Sequence, residues 1–454
     1  MPVSWHSHAR MPQRYRVAVR IVDAMSQTPA QSLQSLIDAA KFPPNSKPSL
    51  AALVRLVLQK KPLLEALVKQ SPLLDHMPKT VALVLVHVAL FDHRQPVKPG
   101  CCPRFDQVLA CLPQLRKALA AVPPTEAPLL PRYARVNTLL ADTASVVWQL
   151  EALGFVRVRY RRRRGLSWFL ERVRRLGPHE FLKDFHLRDW LVFGHGCKLS
   201  HLDLVSGMQL LLQDKASGMA VIALDPRPCA VLLDACAAPG MKASYAAALM
   251  RNTGRILAVD RCEERLSTLQ SLVQHGGFDS ICRVQRADFL DLDPQTQPYC
   301  DAELILVDPS CSGSGLCDRP GDELDPHSAE GAERLRRLSN LQAMLLKHAT
   351  RFPRCQRIVY STCSLYEQEN EAVVAEVLDW VRGRFVLAHA LPDLPTRGVG
   401  PLGERCVRLG PKEMLTRGFF LAVLERPAAA PSANGAQRAS FGASRGRRPL
   451  WKHA

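Results

Sequence analysis

The stretch LLDACAAPGMK, Leu232–Lys242, joins an apolar run to a tight Pro-Gly turn and then to the helical pattern KASYAAALM. It reads as strand, turn, helix. In open α/β sheets, ligands bind beyond the carboxyl ends of the strands. The turn leaves Asp234 at such an end, with backbone N–H groups of the next helix facing outward. The pattern repeats downstream. ILAVDR closes a second strand in Asp260, RADFL follows a short candidate at Cys282 and places Asp288, and LILVDPS ends a further strand in Asp308. Strand candidates are thus Val231–Ala235, Ile256–Val259, Leu304–Val307, Arg357–Tyr360 and Phe419–Leu424. Helical patterns lie between them, as in CEERLSTLQSLVQH and ENEAVVAEVLDWV. Alternating strands and helices over 206–427 predict a doubly wound, mainly parallel sheet.

The turn at Leu232–Lys242 is neither a GxGxxG dinucleotide loop nor a GxxxxGK[ST] phosphate loop, so ATP is disfavoured. Four successive strand ends, each carrying an acid, suit a cofactor with a positive centre. S-adenosylmethionine, with its sulfonium, amino group and ribose, fits. An acid at the second strand end accepts hydrogen bonds from both ribose hydroxyls.

Outward from this core the character changes. Residues 1–125 carry helical periodicity, as in LAALVRLVLQKKPLLEALV and VALVLVHVALF, and no recognisable chemistry. Residues 126–205 form a second unit. RYARVNTLL is a strand candidate, and DTASVVWQLEALG is a helix capped by Asp142 and ended by Gly154. FVRVRYRRRRG then runs into arginines, among which Tyr160, Trp168 and Phe169 interleave. Rings that stack on bases beside cations that bind phosphates suit single-stranded RNA. Residues 428–454 contain no acid and read as a disordered basic tail. The formal net charge of +18 favours a polyanionic partner. No apolar run is long enough to span a membrane. Arg10, Arg14, Arg16 and Arg20 precede the first acid, Asp23, which allows a mitochondrial presequence as the minor alternative to a basic first helix. The 14 cysteines include no CxxC pair, so a zinc site is not expected and free thiols in a reducing compartment are.

Two cysteines stand apart by position. DPSCSGSG, Asp308–Gly315, places Cys311 just past a buried strand, and YSTCS, Tyr360–Ser364, places Cys363 past another. Carbon 5 of cytosine is a poor nucleophile. A thiolate adding to carbon 6 pushes electrons to carbon 5, which then takes a methyl group. Loss of the carbon 5 proton and of the thiolate restores the ring. A carboxyl near ring nitrogen 3 stabilises the adduct, and Asp308 is placed for that. Gly313 and Gly315 let the loop approach a flipped-out base. Spacing alone does not say which thiol adds and which assists release.

DACAAPGMK, VDPSCSGSG and YSTCSLYEQENEAVV together resemble the Nop/Sun family of RNA cytosine-5 methyltransferases, and RYARVNTL and GMQLLLQDKAS match upstream. Ser310, where most of the family has a second proline, resembles the branch acting on large-subunit ribosomal RNA. The resemblance implies a Rossmann-like class I methyltransferase sheet with a small α+β RNA-recognition-like unit packed on it, beside the N-terminal helical domain. It also implies Cys363 as nucleophile and Cys311 as the thiol that assists release. The cofactor stretch maps to Cys236, Ala237, Ala238, Pro239, Gly240, Met241 and Lys242, with Asp260, Asp288 and Asp308. Large-subunit ribosomal RNA or a pre-ribosomal particle is the implied partner and the nucleolus the implied location.

Two positions depart from the family pattern. Met241 replaces the second glycine of APGGK, and Ala243 replaces the following threonine. If the turn needs a positive φ at 241, methionine costs on the order of 1 kcal/mol of strain. Three other readings compete. Transfer RNA is a rival substrate. A non-catalytic, cofactor-binding RNA scaffold in ribosome assembly fits the basic character equally, though it need not keep both thiols. An amino-methyltransferase would place Pro-Pro and an aromatic ring where Pro309-Ser310-Cys311 stands.

Overall fold

A computed structural model describes residues 11–27, 33–91, 100, 102–121, 130–316, 326 and 328–427. Arg10 and the expected basic tail lie outside them. The chain divides into two compact units near residue 127. Among the described residues no helix is long and apolar enough to cross a membrane.

The first unit is helical. Lys79–Phe91 is apolar almost all round and buries nine of its residues, as a central helix must. Helices Gln13–Gln27, Lys47–Gln59, Lys61–Lys69 and Pro103–Ala110 contribute to the same core. The stretch LAALVRLVLQKKPLLEALV is divided at Lys60 between helices Lys47–Gln59 and Lys61–Lys69. Pro62 has no N–H to donate, a deficit that costs nothing only in a helix's first turn.

The second unit opens with a small five-stranded sheet. Its strands are β1 (Arg132–Val136), β2 (Val156–Arg157), β3 (Glu180–Lys183), β4 (Trp190–Phe193) and β5 (Leu210–Leu212), ordered β2-β3-β4-β1-β5. The capped helix is Thr143–Ala152, and the Asp142 carboxylate accepts from the N–H groups of Ala144 and Ser145, both at 2.9 Å. Successive residues of β1 face opposite ways. Ala134 and Val136 pack with that helix, whereas Tyr133 joins the core shared with the larger sheet. Because β5 pairs with β1, the small sheet continues past residue 205, where its boundary was expected.

The arginine-rich segment is corrected in one respect. Phe169 is fully buried in the core beneath helix Gly165–Arg174 and cannot stack on a base. Tyr160 packs on it with ring centroids 5.4 Å apart and stacks on Trp168 at 6.0 Å. The Arg164 guanidinium lies 5.0 Å from the Trp168 ring centroid. Arg172 is engaged by Glu180 and Arg175 by Glu171. Arg159, Arg161 and Arg163 remain on the exposed surface.

The larger sheet comprises β6 (Val231–Asp234), β7 (Arg255–Asp260), β8 (Cys282–Arg286), β9 (Leu304–Val307), β10 (Arg357–Thr362), β11 (Val386–Ala388), β12 (Val407–Leu409) and β13 (Phe419–Glu425). The order is β11-β13-β10-β9-β6-β7-β8, with β12 also on β13. Strands β6 to β10 are mutually parallel, and β13 runs antiparallel to β10. The expected strands are all present, and so is the short one at Cys282. Three-residue β11 and β12 carry too little periodicity to be seen in the sequence. Chain order reverses between β6 and β9, the switch point at which such sheets bind ligands.

Several polar contacts join the small sheet to the larger one. Asn137 donates to the Gly276 carbonyl at 2.9 Å. Buried Arg135 donates to Gln213 at 3.1 Å and to Ser244 at 2.6 Å. Lys215, fully buried, donates to Asp184 at 2.8 Å and lies 2.8 Å from His186 Nδ1.

Candidate active site

The turn after β6 is built around Gly240, whose φ is +101°. A Cβ there would meet Leu269 Cδ1 at 2.7 Å and Leu272 Cδ2 at 3.1 Å, so only glycine fits. Met241 is the first residue of helix Met241–Leu249 and has no positive φ. The expected strain at Met241 is therefore absent, because the left-handed position falls one residue earlier.

The residues placed on the cofactor side follow adjacent strands. Cys236–Lys242 lead from β6 into the helix, and Asp260 ends β7. Asp260 accepts from the N–H of Ala238 through one oxygen and of Cys262 through the other, each at 3.0 Å. Its side chain thus locks the Ala237–Pro239 turn against the next strand. Asp288 follows edge strand β8, accepts from the Leu290 N–H at 3.0 Å and faces Arg261 at 3.6 Å. Asp234 is buried, and neither carboxylate oxygen has a hydrogen-bond partner. Burial pushes its pKa up to about 7, with the Lys242 charge pulling the other way. A cation added above these strand ends would favour the ionised form. Burial also raises the Cys236 thiol. An acid without a partner, three further acids at neighbouring strand ends and a glycine turn with no room for a side chain form a donor set that fits S-adenosylmethionine.

Beside this face lie the two thiols. The Sγ atoms of Cys311 and Cys363 are 3.1 Å apart. Asp308 sits at the end of β9, its carboxylate shared between Ser361 Oγ at 2.6 Å and Lys242 Nζ at 2.5 Å. Lys242 therefore ties the cofactor turn to the acid beside the thiols. The Cys311 thiol is raised well above its ordinary range, first by the hydrogen bond with Cys363, then by burial, then by the Cys363 and Glu369 charges.

Sequence reasoning missed the groups that hold this arrangement. Glu369 is fully buried and accepts from the Ser312 N–H at 2.9 Å and from Gln342 Nε2 at 2.8 Å. Gln342 also donates to the Ser310 carbonyl at 3.0 Å. The segment carrying Cys311 is so fastened on both sides. Asn370 performs the corresponding task for the second loop, donating to the Ser364 carbonyl at 2.9 Å and accepting from Thr362 Oγ1 at 2.5 Å. Glu369 and Asn370 lie within YSTCSLYEQENEAVV, where an acid and an amide shortly after the cysteine were the available signal. Gln342 sits mid-helix in Ala329–Ala349 and had none.

The chain is similar to several known proteins. A family model described as 16S rRNA methyltransferase RsmB/F matches residues 221–425, and one described as the ferredoxin-like domain of NOL1/NOP2/Sun domain family member 5 matches 130–213. The chain is 42% identical over 314 residues to a 28S rRNA (cytosine-C(5))-methyltransferase of Mus musculus, a match spanning 68% of this chain and 65% of the mouse protein. It is 30% identical to the 25S rRNA (cytosine-C(5))-methyltransferase rcm1 of Schizosaccharomyces pombe over 91% of both chains. The fold is similar to the crystal structure of PH0851, with TM-score 0.61 and 21% identity, over 91% of this chain and 99% of that one. Paired thiols beside an anchored acid, set on a methyltransferase sheet and matched along nearly the whole length of a relative, place the chain in the Nop/Sun family of RNA cytosine-5 methyltransferases.

Proposed function

We propose that this protein is an S-adenosylmethionine-dependent RNA cytosine-5 methyltransferase acting on large-subunit ribosomal RNA, in the nucleolus. The observation that carries the reaction is the Cys311–Cys363 pair at 3.1 Å beside Asp308. The choice of substrate rests on the large-subunit relatives. Asp234, Asp260, Asp288 and the Cys236–Lys242 turn would hold S-adenosylmethionine, which when bound supplies an electrophilic methyl group.

Cys363 is the nucleophile that forms the bond to carbon 6 of cytosine. Cys311 is within hydrogen-bond reach of the Cys363 sulfur and assists its release as it departs. Asp308 holds the proton at ring nitrogen 3 while the adduct exists. Lys242 and Ser361 fix the Asp308 carboxylate in place for this.

The test is 5-methylcytosine formed on purified large-subunit ribosomal RNA with S-adenosylmethionine, measured by nucleoside mass spectrometry for wild type and Cys363→Ala. Product from wild type alone is expected. Product from both proteins would remove Cys363 from its role. Product on transfer RNA but not on ribosomal RNA would overturn the substrate.

A further inference from the structure

Leu365, two residues beyond Cys363, is a large apolar side chain that is 52% exposed. Scattered surface leucines are ordinary and need no explanation. Leu365 differs in how its backbone is held. Its N–H donates to Ser314 Oγ at 2.8 Å, and its carbonyl accepts from Arg408 at 2.8 Å. Arg408 is itself gripped by the buried Glu371 carboxylate through two bonds, at 2.8 and 2.6 Å. The leucine side chain lies against Gly418, where an added Cβ would meet Leu365 Cδ2 at 2.7 Å. Gly418 in turn donates to the Gly315 carbonyl, and Gly315 donates to the Cys363 carbonyl, both at 2.9 Å. A half-exposed leucine is thus fixed at the joint between the loop carrying Cys311 and the loop carrying Cys363.

A nucleophile reaches carbon 6 along the normal to the pyrimidine ring. In a stacked strand the neighbouring bases cover that approach, so the cytosine must leave the stack. The vacated space exposes an apolar base face to water, which an apolar side chain can cover. We infer that Leu365 is the wedge that covers the neighbouring base of the RNA strand when the target cytosine turns out toward Cys363. It is a positioning residue, acting on the base beside the reacting one. This inference rests on the function proposed above. Ser314, Arg408 and Glu371 supply the rigidity a wedge needs, since a mobile leucine would spend its contact energy on becoming ordered.

The test uses the full chain and two RNA fragments spanning the cytosine that wild type methylates in large-subunit ribosomal RNA. One fragment is natural; the other has abasic nucleotides on both sides of the target, so that nothing is stacked against it. Wild type, Leu365→Ala and Leu365→Met are compared on both by kcat/KM, with thermal unfolding as the folding control. Leu365→Ala is expected to lose about tenfold on the natural fragment, the factor that follows from one lost apolar contact, and less than about twofold on the abasic one. Leu365→Met should restore most of the loss. An equal loss on both fragments would overturn the wedge in favour of simple support for the nucleophile loop, and no loss on either would overturn it outright. Absence of wild-type 5-methylcytosine in intact large-subunit ribosomal RNA, the result from which the fragments are chosen, would overturn the function itself, a result distinct from both.

Discussion

Replacing Met241 with glycine restores the residue that the family pattern has there, and the structure predicts that this destabilises the protein. If position 241 required a positive φ, glycine would relieve on the order of 1 kcal/mol. Met241 instead opens a helix, and its side chain packs partly buried against the core of the larger sheet. Glycine costs up to about 1 kcal/mol in a helix and less in the first turn. Loss of a half-buried methionine side chain adds about 1 kcal/mol. The sum is a loss of about 1–2 kcal/mol, opposite in sign to the strain argument. Gly240→Ala is the matched control. It forces an L-residue to φ +101° and drives a Cβ to 2.7 Å from Leu269, costing about 2–4 kcal/mol. Urea unfolding of the two variants and wild type, followed by circular dichroism, reads both signs. A midpoint that rises for Met241→Gly would refute the placement of the left-handed residue at 240.

Cys311→Ala should accumulate a covalent protein–RNA adduct that resists denaturing electrophoresis, and Cys363→Ala should form none. The reverse pattern would exchange their roles. Asp184→Ala strands the fully buried Lys215 ammonium and should cost about 3–5 kcal/mol in chemical denaturation, whereas Lys215→Met with Asp184→Leu should recover most of it. Burial and the Lys215 charge lower the His186 pKa to about 3. Since the unfolded imidazole titrates near 6.5, the unfolded state binds more protons between these values. Stability should therefore fall as pH drops below about 6.5, by up to about 1.4 kcal/mol per pH unit from this group. His186→Phe should flatten that slope, and an unchanged slope between pH 7 and 5 would count against the assignment.

Much of this molecule was legible along the chain. Strands β6, β7 and β9 announce themselves because each is a short apolar run closed by an acid, and local pattern is all that a buried parallel strand requires. The glycine turn, Asp308 and both thiols were found for the same reason: each stands at a fixed offset from a strand end. The small sheet was less visible. β3, β4 and β5 are only three or four residues long, and the pairing of β4 and β5 with β1 is a contact between distant residues. The arginine-rich run suggested three base-stacking rings, yet period and composition do not say which face of helix Gly165–Arg174 meets the core, and Phe169 proved to be on it.

What the amino-acid order determined, then, was the type of sheet, the cofactor class and the pair of cysteines, because these depend on residue identity within a few positions of a strand end. Only the tertiary structure decided that the two thiols lie 3.1 Å apart, since Cys311 and Cys363 are separated by 52 residues and a long helix. It alone set Cys311 in its buried place against Cys363 and Glu369, which together push its thiol up. The same holds for Glu369, Gln342 and Asn370, whose hydrogen bonds hold the site and become specific only when loops remote in sequence close on one another.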